Sequence, residues 1–381
     1  MAVVGAGPAG SSAALALSRN GFDVLLLEKA SLPRYKTCGG GVLNRAYKLL
    51  PPRVEEVVER KFFSVDLNFL AAGLNFTASR AVPLVYMTMR ADLDYLLVNE
   101  AKAAGAQVID SCPVRSATIR GQAVEISAEK ATFQAKFVIA ADGVHSVIAK
   151  AAGWSDLPHL APAIEHEIHL SEEDFECFGK TARFDFDCVE AGYGWVFPKR
   201  NHLSAGILSA RRANINLHEK LAEYLKRIGI DRIQKVERHG YLIPIAPRRE
   251  KLARDRVLLV GDAAGLVDPI MAEGISYSVL SGQLAAQAIA ECGFDVQKAG
   301  NRYQSLLEEK ILGDLRAARR LGYFLYNCPK LRNWVFRHRG EELANYVADV
   351  VMGNRGYSDA LKSPFSYLKL LAGSRTNRRA T

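Results

Sequence analysis

Two hydrophobic patterns alternate along the chain. The first is a short, wholly apolar run closed by a glycine or an acid: AVV at 2–4, VLLLE at 24–28, FVIAAD at 137–142 and VLLVGD at 257–262. Such runs predict strands buried on both faces. The second is strict alternation. In YGWVFPK, residues 193–199, Tyr193, Trp195 and Phe197 occupy every other position and would form one flat aromatic face of a strand. EHEIH (165–169) alternates too, and ERHGYLIPIAP (237–247) predicts a further strand. From about Asn301 the pattern is helical.

The first buried run leads into Gly5-Ala6-Gly7-Pro8-Ala9-Gly10, a helical pattern follows to about Arg19, and Gly21 ends it before the second run. This predicts a βαβ unit. Gly5 would allow the tight turn, Gly7 the approach of backbone to a pyrophosphate, and Gly10 close helix–strand packing. The helix opens with Pro8, which has no N–H of its own, and Ala9, and its N-terminus offers unpaired N–H groups to phosphates. Glu28 ends the second strand eighteen residues after the last glycine, with Lys29 beside it. An acid there accepts hydrogen bonds from an adenosine ribose, which fits NAD or FAD. Asp142-Gly143 and Gly261-Asp262 close the other two runs. Each pair alone is an ordinary helix cap after a strand. Together they also fit an acid holding a ribityl hydroxyl beside a phosphate-binding helix end.

These three motifs, in this order, resemble the superfamily of flavoprotein monooxygenases and geranylgeranyl reductases, and the resemblance spans nearly the whole chain. It implies FAD as cofactor, Arg90 of MRADLDYLL near the flavin, and Pro269, Gly274 and Ile275 of DPIMAEGIS against the flavin ring. Two stretches point to a branch. PRYKTCGGGV (33–42) places Cys38 before Gly39 and Gly40. A free cysteine is most often a small buried residue, but the pattern is similar to the loop bordering the reductase active site, where glycines let backbone pass close to the flat isoalloxazine. YGWVFPK resembles the (Tyr/Phe)-x-Trp-x-Phe-Pro motif of the same reductases. Halogenases carry Trp-x-Trp-x-Ile-Pro instead, and the segment 70–90 has no lysine to match their catalytic one.

The resemblance implies a reductase of prenyl double bonds. Cys38, Tyr193 and Trp195 would be catalytic, and Phe197 and Pro244 would line the substrate channel. Ring faces stabilise a developing carbocation by about 0.5–2 kcal/mol each. The proton donor stays open among Tyr193, Cys38 and a water, and the external reductant stays open between NADPH and ferredoxin. The rival is a flavin monooxygenase or halogenase acting on an aromatic compound. A non-enzymatic flavin carrier would need no aromatic wall.

The fold expected is α/β: a Rossmann-type FAD-binding part (1–60, 85–155 and 255–300), a β-rich substrate part (61–84 and 156–254) and a helical C-terminal region (301–381). The 381 residues carry a formal net charge of +9, which suits an anionic partner. The six cysteines form no CxxC pair, as expected of a reducing cytosol. No uncharged apolar run reaches the ~20 residues of a membrane span. His166 and His169 lack the further ligands a metal needs. Basic residues interleaved with Tyr323, Tyr326, Trp334 and Phe336, and the tail SPFSYLKLLAGSRTNRRAT, suit either a solvated helix face or peripheral contact with anionic lipid. No nucleic-acid-binding fold is recognisable.

Overall fold

The computed structural model describes residues 1–211 and 215–362. The short apolar runs form a six-stranded sheet in the order Ala253–Arg254, Val257–Leu259, Val138–Ala140, Ala2–Val4, Leu25–Leu27 and Gln107–Ile109. All neighbours are parallel except the first pair, which is antiparallel. The central strands hold almost no water-accessible surface, which is why their sequences are apolar on both faces. Their register matters more than their length. Val4 pairs with both Leu27 and Ala140, and Ala140 with Leu259, so the strands stop level with one another. The residues that follow, Gly5, Glu28, Asp142 and Asp262, therefore leave the sheet along one edge.

Helix Pro8–Arg19 covers this sheet and lies on helix Ile275–Cys292. A Cβ on Gly282 would stand 2.2 Å from the Ala9 carbonyl oxygen, so the two helices meet backbone to backbone.

The alternating segments form a seven-stranded sheet in the order Lys235–Pro244, Leu160–His169, Leu203–Ser209, Gly192–Pro198, Ala182–Phe186, Ser64–Phe69 and Leu74–Ser79. Neighbours are antiparallel except Ala182–Phe186 with Ser64–Phe69. A three-stranded sheet of Gly41–Leu43, Val85–Thr88 and Val58–Phe62 carries the glycine loop at one end and Arg90 beyond another. The expected α/β class, with a β-rich second part and helices at the C-terminal end, is the fold observed.

The C-terminal helices separate their aromatic residues. In helix Pro329–Met352, Phe336 packs on Phe69 and Phe76, with ring centroids 4.3 and 5.8 Å away, and Gly340 leaves room for the Phe76 ring. Tyr326, on helix Gly313–Asn327, donates to the Ile270 carbonyl at 2.5 Å. Tyr323 and Trp334 stay exposed. Arg332, one of the basic residues expected at a surface, is only 3% exposed and forks onto Asp187 at 2.7 and 2.9 Å. The basic tail SPFSYLKLLAGSRTNRRAT lies outside the described residues.

Candidate functional site

A cavity of about 560 Å³ opens along the level edge of the parallel sheet and is lined by residues of both large sheets. At one end lies bare backbone. Gly5 has φ +100°, and a Cβ there would be 2.3 Å from the Ala141 carbonyl oxygen. A Cβ on Gly10 would be 1.9 Å from the Gly5 carbonyl oxygen, so Gly10 acts by letting the helix pack and does not itself line the cavity. Gly7 is different. Nothing approaches the place of its missing Cβ except the guanidinium ends of Arg34 and Arg90, both 3.9 Å away. Open backbone at a helix N-terminus flanked by two cations suits a pyrophosphate. Asp94 holds both cations, Arg34 at 3.0 Å and Arg90 at 2.9 Å. Sequence reasoning missed Arg34 and Asp94. The i,i+4 spacing of Arg90 and Asp94 on one helix was the available signal.

Glu28 lines the cavity with Lys29. Its carboxylate accepts the Ala6 and Ala30 N–H groups at 2.8 and 3.1 Å and faces Arg34. Asp142 takes the Ile148 N–H at 3.1 Å on one oxygen, while the other is buried without a hydrogen-bond partner. Burial holds the carboxyls of Asp142 and Asp262 above the usual range, opposed at Asp262 by Lys36 and Arg90. An orphaned acid oxygen beside an open backbone cradle is what a ligand bearing both hydroxyls and phosphates requires. The residues therefore fit FAD. Gly143, Gly274 and Ile275 also line this space. Gly261 does not; it packs where a Cβ would meet Ser278 and Ala9 at 2.9 and 3.0 Å.

At the other end stands the aromatic wall. Tyr193, Trp195 and Phe197 face the cavity with successive ring centroids 6.3 and 6.4 Å apart, and Phe184 joins them 5.6 Å from Tyr193 and 5.2 Å from Phe197. The glycine loop lies on this wall. A Cβ on Gly39 would be 2.8 Å from the Phe197 ring and 3.3 Å from the Trp195 Nε1. The flat surface that Gly39 passes in this structure is thus the aromatic strand. Gly40 has φ +66°, and its missing Cβ leaves space for the Thr88 carbonyl and the Lys199 ammonium. Lys199 donates to the carbonyls of Gly39 and Thr88 at 2.7 and 2.9 Å. On the loop's N-terminal side Tyr35 stacks on His239 at 4.2 Å, and Lys36 sits 3.1 Å above the Tyr241 ring. Burial foremost, then Arg90, pushes the Lys36 ammonium down to about 8.

Cys38 lines the cavity beside Arg90, and its sulfur accepts the Gly40 N–H at 3.4 Å. The Tyr193 hydroxyl is committed to the Met271 carbonyl, and burial pushes its pKa far up. Two expected lining residues stand elsewhere. Pro244 is buried at its strand end, where Tyr241 and Ile243 of the same strand reach the cavity instead. Pro269 lines a second cavity with Arg319 and Tyr323, while Met271–Ile275 line the first. Both prolines sit where strand or turn geometry decides which neighbour points inward, and a sequence match alone does not carry that.

A protein-family model described as FAD binding domain matches residues 1–293. Digeranylgeranylglycerophospholipid reductase 1 of Methanopyrus kandleri is 30% identical over 345 residues, covering 85% of this chain and 89% of its own. The solved structure of a geranylgeranyl bacteriochlorophyll reductase-like protein from Thermoplasma acidophilum shares the fold, with a TM-score of 0.74 at 21% identity over 97% of this chain and 95% of that one. A flavin-dependent brominase shares it too, with a TM-score of 0.72 at 18% identity over 92% of each chain. With the cofactor cradle, the glycine loop and the aromatic strand around one cavity, the chain belongs to the geranylgeranyl reductase family of FAD-binding oxidoreductases.

Proposed function

We propose that this chain saturates the double bonds of a geranylgeranyl-type prenyl chain. The observation that carries the reading is the continuity of one cavity from the dinucleotide cradle to the wall of Tyr193, Trp195, Phe197 and Phe184. Bound FAD, once reduced, supplies a hydride. The chain's own residues do the rest. Arg34, Arg90 and the Gly7 backbone would hold the pyrophosphate, and Asp142 and Asp262 would take ribityl hydroxyls. The wall excludes water, receives the isoprenoid at about 0.8 kcal/mol per buried CH₂, and faces the carbon where positive charge develops. Tetrapyrrole, diphosphate, quinone and ether-lipid head groups are all compatible with this chemistry. NADPH or ferredoxin would restore the reduced flavin.

An anaerobic assay tests the reading. The purified flavoprotein, reduced with dithionite and given geranylgeranyl diphosphate or a lipid-linked prenyl chain, is expected to return products heavier by two hydrogens per bond, without added oxygen, by mass spectrometry. Products hydroxylated or halogenated on an aromatic ring after air is admitted, with no saturated prenyl product, would establish the rival instead.

A prenyl substrate is lipid-soluble, and we propose that the chain meets it by resting on an anionic bilayer. No helix among the described residues is long and apolar enough to cross a membrane. Tyr323, Leu331 and Trp334 are exposed on the C-terminal helices beside Arg320, Lys330 and Arg337. Aromatic side chains among cations favour an interfacial position. The protein is expected to float with phosphatidylserine vesicles at low salt and to stay behind with neutral ones; equal flotation with both, or with neither, would refute the contact.

A further inference from the structure

Beside the aromatic wall, on the same face of the sheet, lies a cluster of ionisable groups to which cofactor and prenyl binding give no task. Strand pairing places Glu165, Gly206 and Trp195 in one row across three strands, and Glu167, Ser204 and Phe197 in the next. Gly206 has no side chain, and the Trp195 ring takes that place, with carbons 2.3 and 2.6 Å from where a Cβ would be. Glu165 lines the cavity at the end of its row, yet is only 1% exposed. One carboxyl oxygen is bonded to the Ser204 hydroxyl, which in turn accepts the Trp195 Nε1–H at 3.4 Å. The other oxygen is buried with no hydrogen-bond partner.

The groups facing Glu165 come from every element around it. Glu167 lies on its own strand and Lys199 at the end of the aromatic strand. Tyr35 and Cys38 belong to the glycine loop, and His239 stands in register on strand Lys235–Pro244. His202 pairs with Glu167 at 2.9 Å. Burial, then the charge of Glu167, pushes the Glu165 carboxyl up to about 7, and Lys199 opposes this. Of the other donors at the cavity, Tyr193 already gives its hydrogen to Met271.

We propose that Glu165 is the proton donor of the reduction, an inference that rests on the reductase reading. The Glu165 O–H bond breaks and the alkene π pair takes the proton, forming one C–H bond. The other C–H bond would form at the adjacent carbon, from a hydride that reduced flavin would supply. The alkene gains two electrons, the flavin loses two, and Glu165 is left as a carboxylate. It regains its proton from solvent before the next turnover.

The test compares the FAD-loaded wild type with Glu165→Gln, which keeps shape and neutral hydrogen bonding but has no acidic proton. The first readout needs no turnover. Infrared spectra of the oxidised protein are expected to show a protonated-carboxyl band that fades as pH rises through about 7 and is missing in the variant. The sign for folding agrees. The folded state holds a proton that the unfolded carboxyl has already released, so the wild type should lose thermal stability relative to Glu165→Gln as pH rises from 4.5 to about 7. The second readout is a single anaerobic turnover of dithionite-reduced enzyme with geranylgeranyl diphosphate. The wild-type rate should fall above the same pH. Glu165→Gln should bind flavin normally but reduce the alkene about 100-fold more slowly or worse. Wild-type turnover and an unchanged pH profile in Glu165→Gln would overturn the donor role alone. A titrating band with no saturated product from the wild type would overturn the reductase reading and the role with it. Should Glu165→Gln fail to fold, Glu165→Asp decides: its band and its rate profile must shift together, and a rate profile that stays while the band moves refutes the proposal.

Discussion

A Lys199→Met variant is expected to fold less stably by about 2–4 kcal/mol and to purify with little flavin. Methionine keeps the length and apolar stem of lysine but has no donor. Lys199 is 1% exposed, and its ammonium bonds the carbonyls of Gly39 and Thr88. Leaving two buried carbonyls unpaired costs about 1–3 kcal/mol each. Part of that is recovered, because the ammonium is itself desolvated; burial lowers its pKa against the pull of Glu167 and Glu165. The loss to binding should exceed the loss to folding, since the two carbonyls tie the glycine loop to the strand that ends in Thr88. Denaturant unfolding with bound-flavin absorbance reads both. Wild-type stability and a full complement of flavin in the variant would show that the lysine does not tether the loop.

The second large effect is expected at Arg45. Its guanidinium bonds Glu273 at 2.9 Å, Asp268 at 3.4 Å, and the hydroxyls of Ser276 and Tyr277 at 3.2 and 3.3 Å. Asp268 is fully buried, accepts the Ile270 and Met271 N–H groups, and takes the Tyr357 hydroxyl at 2.8 Å. This network fixes the turn that presents Met271–Ile275 to the cavity. Arg45→Ala would strand two acids without their cation, and breaking such a buried pair costs about 3–5 kcal/mol. Thermal unfolding should show it directly. Arg45→Lys should recover only a minority of the loss, because an ammonium cannot fork to both acids and two hydroxyls at once. Full recovery by lysine would mean that charge alone suffices.

What the sequence revealed is what a short stretch of chain decides by itself. Gly5, Glu28, Asp142 and Asp262 each follow an apolar run, and parallel strands in register bring the ends of such runs to one edge. The alternation of Tyr193, Trp195 and Phe197 likewise places all three rings on one face without reference to anything distant. The residues that escaped notice act across the fold. EHEIH predicts a strand, and a strand it is, but the inward direction of Glu165 and Glu167 depends on pairing with Leu203–Ser209. In sequence Lys199 merely closes the aromatic motif, and its partners lie 160 and 111 positions away. Arg34 and Asp94 meet across 60 residues of chain. Arg332 is one of the basic residues interleaved with the C-terminal aromatics, and it is Asp187, in the turn after strand Ala182–Phe186, that holds it inside.

Helix Pro329–Met352 has a bearing on how the catalytic portion could be transplanted. The family model ends at residue 293, yet Phe336, Ala344, Ala348, Val351 and Met352 complete the apolar core against the seven-stranded sheet. That core includes Tyr193 and Trp195. A chimera that grafts residues 1–293 onto a foreign C-terminal segment would therefore inherit the cofactor cradle but leave wet the stretch of the aromatic face around Phe69, where Phe336 packs. Swapping substrate preference between relatives calls for moving the sheet together with its covering helix, as one piece.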